Sequence, residues 1–152
     1  MPAEIFLPRS LMRITQESDY ALRIITAMAA YDGVADAGRI AEQTSVSPRF
    51  TLKILNKLVK GGLVSSYKGA KGGYKLRVSA DDITLKTIIE LIDGPVAIAR
   101  CVEGSEECSL NCDKAACVYH HIFDDISLEL AKKLDGIKIG EVIRKIKPQE
   151  DI

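Results

Sequence analysis

The sequence has no apolar run long enough to cross a membrane. Its longest apolar stretches, such as the one from Ile24 to Ala30, are far shorter than the roughly 20 residues that a membrane-spanning helix needs. Residues 1–11 lack the basic segment followed by an apolar run that is typical of a secretory signal. We therefore expect a soluble, cytoplasmic protein with no membrane partner. Residues 1–11 themselves are expected to form a disordered leader outside the fold.

The sequence also lacks the constellations that mark enzymes. It contains no paired base and nucleophile, no phosphate-binding loop after a strand and no zinc-hydrolase spacing. Internal repeats and low-complexity segments are absent as well. A chain of 152 residues makes one domain, or one domain with an appended element. We expect a protein that is not an enzyme and has no small-molecule substrate.

Net charge is missing too, because 21 basic residues balance 21 acidic ones. A formal charge of zero by itself argues against a nucleic-acid partner. The charges are segregated, however: residues 37–79 hold nine basic residues and one acidic residue, whereas residues 101–129 hold seven acidic residues and one basic residue. The basic segment suits a polyanion, and the acidic segment must have a different role.

Cysteine and histidine are absent outside one short segment. The four cysteines lie within 17 residues, and the two histidines follow at once: Cys101, Cys108, Cys112, Cys117, His120 and His121. Thiolates and imidazoles are ligands for zinc, iron and iron-sulfur clusters. A disulfide is the main alternative, but it needs an oxidising compartment, and no secretory signal is visible. Free thiols are the third possibility, and a metal or cluster is favoured.

The first half of the sequence predicts a winged helix-turn-helix. A helix with apolar residues at three- and four-residue steps is followed by a short helix, a turn at Ser45 to Ser47 and a second helix that begins at Pro48 and ends near Lys60. Two alternating segments, Leu63 to Tyr67 and Tyr74 to Val78, then flank a glycine-rich turn. The predicted fold class is mainly α with a small β-hairpin wing and a long C-terminal dimerisation helix.

The second helix of the turn carries a basic face. Arg49, Lys53, Lys57 and Lys60 recur at four- and three-residue steps, opposite an apolar side predicted to contain Leu52, Leu55, Leu58 and Val59. Such a ridge neutralises phosphates, although lysines on an isolated helix are often only a solvated face. Arg49 can read guanine, and short polar side chains can supply further hydrogen bonds. The predicted DNA contacts are Arg39, Ser47, Arg49, Phe50, Thr51, Lys53, Asn56, Lys57, Lys68, Lys71 and Tyr74.

The helix that follows the cysteines has an apolar stripe with little of its own domain to cover it. Every fourth position is apolar: Val118, Ile122, Ile126, Leu130 and Leu134. A matching helix from a second subunit is the expected partner, which predicts a homodimer. A shorter helix capped by Thr84 precedes the cysteines, and a short amphipathic piece from Ile139 to Ile146 ends the pattern.

Several motifs together resemble the family of bacterial repressors that includes the iron-sulfur cluster regulator (IscR) and the nitric oxide sensor (NsrR). The similar segments span Met12 to about Ile146, with the IscR type most similar. They are Met12 to Thr15, Tyr20 to Leu22, Ile40 to Glu42, Val46 and Ser47, Leu63 and Val64, the wing from Lys68 to Tyr74, Ile83 to Leu85, and the cysteine cluster. The resemblance implies a homodimer that binds double-stranded operator DNA and whose affinity changes with the state of an iron-sulfur cluster.

The resemblance also implies a ligand set. The family pattern, three spaced cysteines and then a histidine after two further residues, maps onto Cys101, Cys108, Cys117 and His120. The interval from Cys108 to Cys117 departs from the pattern because it is longer and contains Cys112, so Cys112 could replace Cys108 or His120. Three thiolates and one imidazole favour a [2Fe-2S] over a [4Fe-4S] cluster. His121 is expected to be a surface or dimer-contact residue.

The predicted domains are the leader (1–11), the winged helix-turn-helix (12–95), the cysteine-rich cluster loop (96–121) and the dimerisation helix and tail (117–146). The predicted function is a transcriptional regulator that senses iron-sulfur cluster or redox status and controls cluster biogenesis genes. One alternative is a regulator that acts by thiol oxidation or partner docking without a metal. Another is an iron-sulfur electron carrier, whose chemistry does not need a basic helix beside a glycine-rich wing.

Overall fold

The computed structural model describes residues 13–31, 33–104, 108 and 113–146. The predicted leader, 1–11, and Cys112 lie outside the described residues. The order of elements is α1 (Gln16–Ala30), α2 (Ala37–Thr44), α3 (Pro48–Lys60), β1 (Val64–Tyr67), β2 (Gly73–Leu76), α4 (Leu85–Asp93), a single 3₁₀ turn (Lys114–Ala116), α5 (Val118–Asp135) and α6 (Ile139–Ile146). A mainly helical chain with one two-stranded antiparallel sheet confirms the predicted fold class.

Local chemistry sets where four of the helices begin. Thr15, Asp36, Ser47 and Thr84 each have extended or near-extended backbone, and the side-chain oxygen of each accepts a hydrogen bond from a backbone N–H in the first turn. Such caps satisfy a donor that the helix leaves unpaired and stabilise a helix by about 1 kcal/mol each. The starts of α1 to α4 therefore follow from residues that are readable in the sequence.

The core forms around α1. This helix packs against α2, α3, α4 and α6, so its buried face meets apolar residues from almost every other element. The largest fully buried apolar side chains are Ile24, Ile25, Ile40, Ile54, Leu55, Leu58, Val64, Ile83, Ile88 and Ile139. Full burial of each such side chain contributes roughly 1.5–3 kcal/mol. The helix-turn-helix is thus held in shape from behind by α1.

The wing is a hairpin anchored to the body by one extra bridge. β1 pairs with β2 in the register Val64↔Leu76 to Tyr67↔Gly73. Ala35, in the connection between α1 and α2, pairs with Tyr74 through two backbone hydrogen bonds of 2.9 and 2.8 Å. Because Ala35 is buried in the core, this bridge fixes the base of the wing to the helices.

The C-terminal helix α6 returns to the winged domain. Leu85 N–H donates to Ile137 O at 3.0 Å, and Ile139 N–H donates to Ile83 O at 2.9 Å. Ile139 is buried in the same apolar cluster as α1 and α3. The sequence prediction grouped this segment with the dimerisation helix, whereas the structure packs it against α1.

The long helix α5 packs on α4 along one side. Ser127 is buried there; its hydroxyl donates to Phe123 O at 2.6 Å and accepts from Ile98 N–H at 3.0 Å. This contact joins the segment that leads into the cysteines to the middle of α5. No helix in the described part of the chain combines the length and apolarity required to cross a membrane.

The anchoring bridge predicts a specific sensitivity at Gly73. Its φ is 153°, and a Cβ atom there would lie 2.5 Å from Ala35 O. We expect Gly73→Ala to lower the free energy of unfolding by about 2–4 kcal/mol, because backbone strain and the clash add together. Gly69 has a φ of 101° but nothing within 4 Å of its Cβ position, so Gly69→Ala should cost about 1–2 kcal/mol. Urea unfolding measures both, and equal losses would contradict the role of the bridge.

Candidate functional site

The exposed face of α3 carries a row of basic side chains. Ser47 caps the helix and Pro48 occupies its first turn. This start places Arg49, Lys53, Asn56 and Lys60 on the exposed side, while Ile54, Leu55 and Leu58 are buried. The exposed residues recur at three- and four-residue steps and therefore share one face. α3 has the dimensions and polarity of a helix that enters the major groove of DNA.

Two predictions about α3 are wrong. Thr51, predicted to read bases, is 0% exposed and its hydroxyl donates to Val46 O at 3.4 Å, so it faces the core and not the surface. Leu52, predicted to lie on the buried side, is 44% exposed. The reason is helical phase: Ile54 occupies the core position, and Leu52 lies three residues from Arg49 and four from Asn56, on their side of the helix.

Phe50 lies at the edge of this face with an aromatic neighbour. Its ring meets the ring of Tyr20 edge-on, with centroids 5.9 Å apart, and Lys53 Nζ lies 5.9 Å from the Phe50 centroid. Phe50 nevertheless remains exposed. The contact with Tyr20 of α1 therefore positions the Phe50 ring, and part of that ring stays exposed beside the basic residues.

Two of the basic residues on α3 are paired within the chain. Lys53 Nζ donates to Glu17 Oε1, and Lys57 Nζ donates to Glu17 Oε2 at 2.5 Å. Glu17 lies in the first turn of α1. Hydrogen bonds from Lys53 and then Lys57 hold the pKa of the Glu17 carboxyl below its usual range. The carboxylate is therefore ionised at neutral pH and offsets part of the charge of the two lysines.

The wing presents the second group of predicted DNA contacts. Lys68 and Lys71 are exposed at its tip, and Tyr67 beside them is also exposed. Tyr74 is half-buried at the base of the wing, where its backbone pairs with Ala35. Arg39 on α2 is exposed, and its guanidinium lies over the Tyr31 ring, 4.3 Å from the centroid. The wing tip and α3 therefore both present accessible lysines.

The cysteine segment is described in part. Cys101, Cys108 and Cys117 are half-buried, and Cys101 and Cys117 are free thiols. Cys117 is also the residue at which α5 begins. Within the described ranges, no group of three or more Cys, His, Asp or Glu side chains lies close enough to hold a metal ion.

The two histidines differ in their surroundings. Nε2 of His121 donates to Ala115 O at 2.8 Å, which uses this ring in a local contact beside the 3₁₀ turn. Nδ1 of His120 is buried and has no hydrogen-bond partner among the residues that the structure describes. A buried nitrogen without a partner is costly. His120 therefore offers a buried ring nitrogen with no partner among the described residues, one helical turn after Cys117, whereas the His121 contact occupies Nε2 alone.

The outer face of α5 is apolar and uncovered. Val118, Ile122, Ile126 and Leu130 from the predicted stripe are exposed, and Leu134 is half-buried. Tyr119 adds to this face at 72% exposure and stacks on Phe123, with centroids 6.4 Å apart. Exposed apolar surface of this extent is typical of a contact with another protein.

Sequence reasoning missed three residues of these surfaces. Leu52 is an exposed apolar side chain on the α3 face, and the phase set by Arg49 and Asn56 could have revealed it. Tyr119 belongs to the apolar face of α5, but the prediction counted only every fourth position from Val118 and so omitted it. Glu17 contacts α3 from 36 and 40 residues away, and no local pattern signals this contact.

A helix-turn-helix with a basic exposed helix and an anchored hairpin wing defines a class: DNA-binding transcriptional regulators. The chain matches the family Rrf2, described as an iron-dependent transcriptional regulator, over residues 14–145. The chain belongs to the Rrf2 family. This membership makes it a transcriptional regulator and not the electron carrier considered as an alternative.

Individual relatives agree with this assignment. The chain is 31% identical over 134 residues to the HTH-type transcriptional regulator IscR of Aliivibrio salmonicida, covering 87% of this chain and 77% of that one. The solved structure of IscR of T. potens has a TM-score of 0.72 at 22% identity, covering 93% of each chain. That of CymR, the global cysteine regulator of B. subtilis, has a TM-score of 0.70 at 23% identity, covering 89% of this chain and 98% of that one. At these identities the two structures show the shared fold.

Proposed function

We propose that this regulator senses iron-sulfur cluster or redox status through a cluster held by the cysteine segment, and that it controls cluster biogenesis genes as a repressor. The observation that carries the proposal is Nδ1 of His120, which is buried without a hydrogen-bond partner among the described residues, three positions after the free thiol of Cys117. The relatives named IscR and the iron-dependent family support it.

The donor chemistry of the segment fits such a group. Cys101, Cys108, Cys117 and His120 would hold it, with Cys112 as the alternative ligand. Three thiolates and one imidazole match a [2Fe-2S] centre better than a [4Fe-4S] centre. When bound, the cluster supplies reversible one-electron chemistry and sensitivity to oxidants. The chain itself links this segment to α5 at two points: Cys117 lies at the start of the helix, and Ser127 in its middle accepts a hydrogen bond from Ile98 N–H.

DNA recognition is proposed for α3 and the wing. Arg49 reads base edges from the first turn of α3, with Asn56 and the exposed Leu52 beside it. The remaining contacts hold the phosphate backbone and so position the protein on the duplex. They come from Ser47, Lys53, Lys57, Lys68, Lys71 and the flanking Arg39, Phe50 and Tyr74. A homodimer joined through the apolar face of α5 would place two copies of α3 on the two half-sites of an operator.

A second candidate mechanism needs no metal. Cys101 and Cys117 are half-buried thiols without a disulfide, and oxidation of such thiols could report redox state directly. The iron content, visible absorption and electron paramagnetic resonance spectrum of anaerobically purified protein separate the two mechanisms. Colourless, iron-free protein with full operator binding that responds to thiol oxidation would favour the second.

The DNA contacts predict two different losses. We expect Arg49→Ala to weaken operator binding by about 1–3 kcal/mol and to relax sequence preference, because bidentate base contacts carry specificity. Lys71→Ala at the wing tip should weaken binding to all sequences alike and flatten the salt dependence by about one unit per subunit. Fluorescence anisotropy titrations at several salt concentrations measure both effects. If neither variant binds differently from wild type, α3 and the wing are not the DNA surface.

The ligand assignment is tested by a matched pair of histidine variants. His120→Ala should lose the visible absorption of the cluster and give the DNA behaviour of the cluster-free form, because it removes the unpartnered Nδ1. His121→Ala should keep both, since the proposed ligand set does not include His121. Cys112→Ala should also keep both. Loss of colour in Cys112→Ala, with retention in His120→Ala, would move the ligand to Cys112.

The dimer face is tested on two exposed positions of α5. Ile126 is 46% exposed on the apolar stripe, whereas Leu128 is 62% exposed away from it. Ile126→Glu should yield monomers and lose high-affinity operator binding, since a charge would be buried without a partner at the interface. Leu128→Glu should remain dimeric. Sedimentation analysis decides, and a dimeric Ile126→Glu variant would remove this face from the interface.

A further inference from the structure

The residue that the proposed DNA surface leaves unexplained is Glu17, an acid in the midst of lysines that should meet DNA. It belongs to α1, and its two carboxylate oxygens are divided between the lysines: Oε1 accepts from Lys53 and Oε2 accepts from Lys57. Both lysines lie on the exposed side of α3. A single carboxylate thus occupies the hydrogen-bonding ends of two side chains that would otherwise be offered to phosphate.

We propose that Glu17 competes with DNA phosphate for Lys53 and Lys57, and so limits the sequence-independent affinity of the regulator. The inference rests on the proposed DNA surface of α3. A carboxylate and a phosphate oxygen present the same chemistry to an ammonium group, and the two anions repel each other, so they compete for the donors of a given Lys Nζ. Each lysine must break its hydrogen bond to Glu17, or divide its N–H donors between Glu17 and the phosphate, before it neutralises a phosphate and releases counterions.

The exposure of the pair indicates competition and not permanent structural support. The Lys53 and Lys57 side chains are 51% and 38% exposed, and the Glu17 side chain is 27% exposed. Ion pairs this accessible to water contribute little to stability and are screened by salt. DNA can therefore displace Glu17, at a cost that lowers affinity for every sequence. Arg49, Asn56 and Lys60, also on this face, are not among the ion-pair partners of Glu17.

The test compares Glu17→Gln with a matched control, Asp19→Asn. Each substitution removes one negative charge from the first turn of α1 and keeps the side-chain shape. Asp19 pairs with Arg23 on its own helix, at 2.7 Å, and does not contact α3 lysines. Binding to a non-cognate duplex is measured by anisotropy at several salt concentrations, using full-length protein whose circular dichroism matches wild type.

We expect Glu17→Gln to bind non-cognate duplex roughly tenfold more tightly at about 0.1 M salt, with a salt slope steeper by about 1–2 units per subunit. Asp19→Asn should change affinity by less than about twofold, the effect of a general charge that is screened in salt. The triple variant Glu17→Gln, Lys53→Gln, Lys57→Gln should lose the gain, because the released ammonium groups are then absent.

The inference is overturned if Glu17→Gln binds like Asp19→Asn, if it binds more weakly than wild type, or if the triple variant keeps the gain. Arg49→Ala provides the separate check on the surface itself. If Arg49→Ala loses operator affinity while Glu17→Gln behaves like Asp19→Asn, the DNA surface stands and the role of Glu17 falls. If Arg49→Ala and the triple variant both bind as wild type does, the surface is wrong.

Discussion

Burial of one face of α1 is the constraint on which the rest of the structure depends. α2, α3, α4 and α6 all pack against this helix, and Ile24 and Ile25 lie at the centre of the apolar cluster that they form. The packing of α2 and α3, and hence the presentation of the exposed face of α3, follows from this shared support. Ala35, at the end of the same segment, also anchors the wing. The core around α1 therefore holds α3 and the wing relative to each other.

That support lets α3 serve two environments at once. Its inner side fills the core with Ile54, Leu55 and Leu58, so its outer side is free to carry charge without a cost in packing. The charge is then moderated by α1, because Glu17 lies against Lys53 and Lys57. The helix that organises the core thus also adjusts the electrostatics of the surface. The cysteine segment, by contrast, is joined to α5 at both its ends, through Ile98 N–H on Ser127 and through Cys117 at the start of the helix.

Much of the fold could be predicted because its signals are local. Ser47 before Pro48 sets the start of α3, Thr84 sets the start of α4, and four-residue periodicity marks α5; each signal lies within one or two helical turns of what it controls. The errors arose where a helix face had to be chosen. Thr51 is predicted at the surface but is buried, and Leu52 is predicted in the core but is exposed. A basic stripe defines only one side of a helix, and the burial of Ile54 decides which of the other residues face the core.

The sequence by itself determined the helical segments, the hairpin, the segregation of basic and acidic residues, and the concentration of thiols and imidazoles in one segment. These are properties of composition and short-range spacing. Tertiary structure alone decided the return of α6 to α1, the pairing of Ala35 with Tyr74, the contact of Glu17 with α3 and the difference between His120 and His121. Three of these depend on groups brought together from distant parts of the chain, as with Glu17 and Lys57, 40 residues apart. The histidines differ because Nε2 of His121 meets Ala115 O, while Nδ1 of His120 is buried without a partner among the described residues. These particular contacts arise only when the chain has folded, because no short-range pattern encodes which distant groups meet.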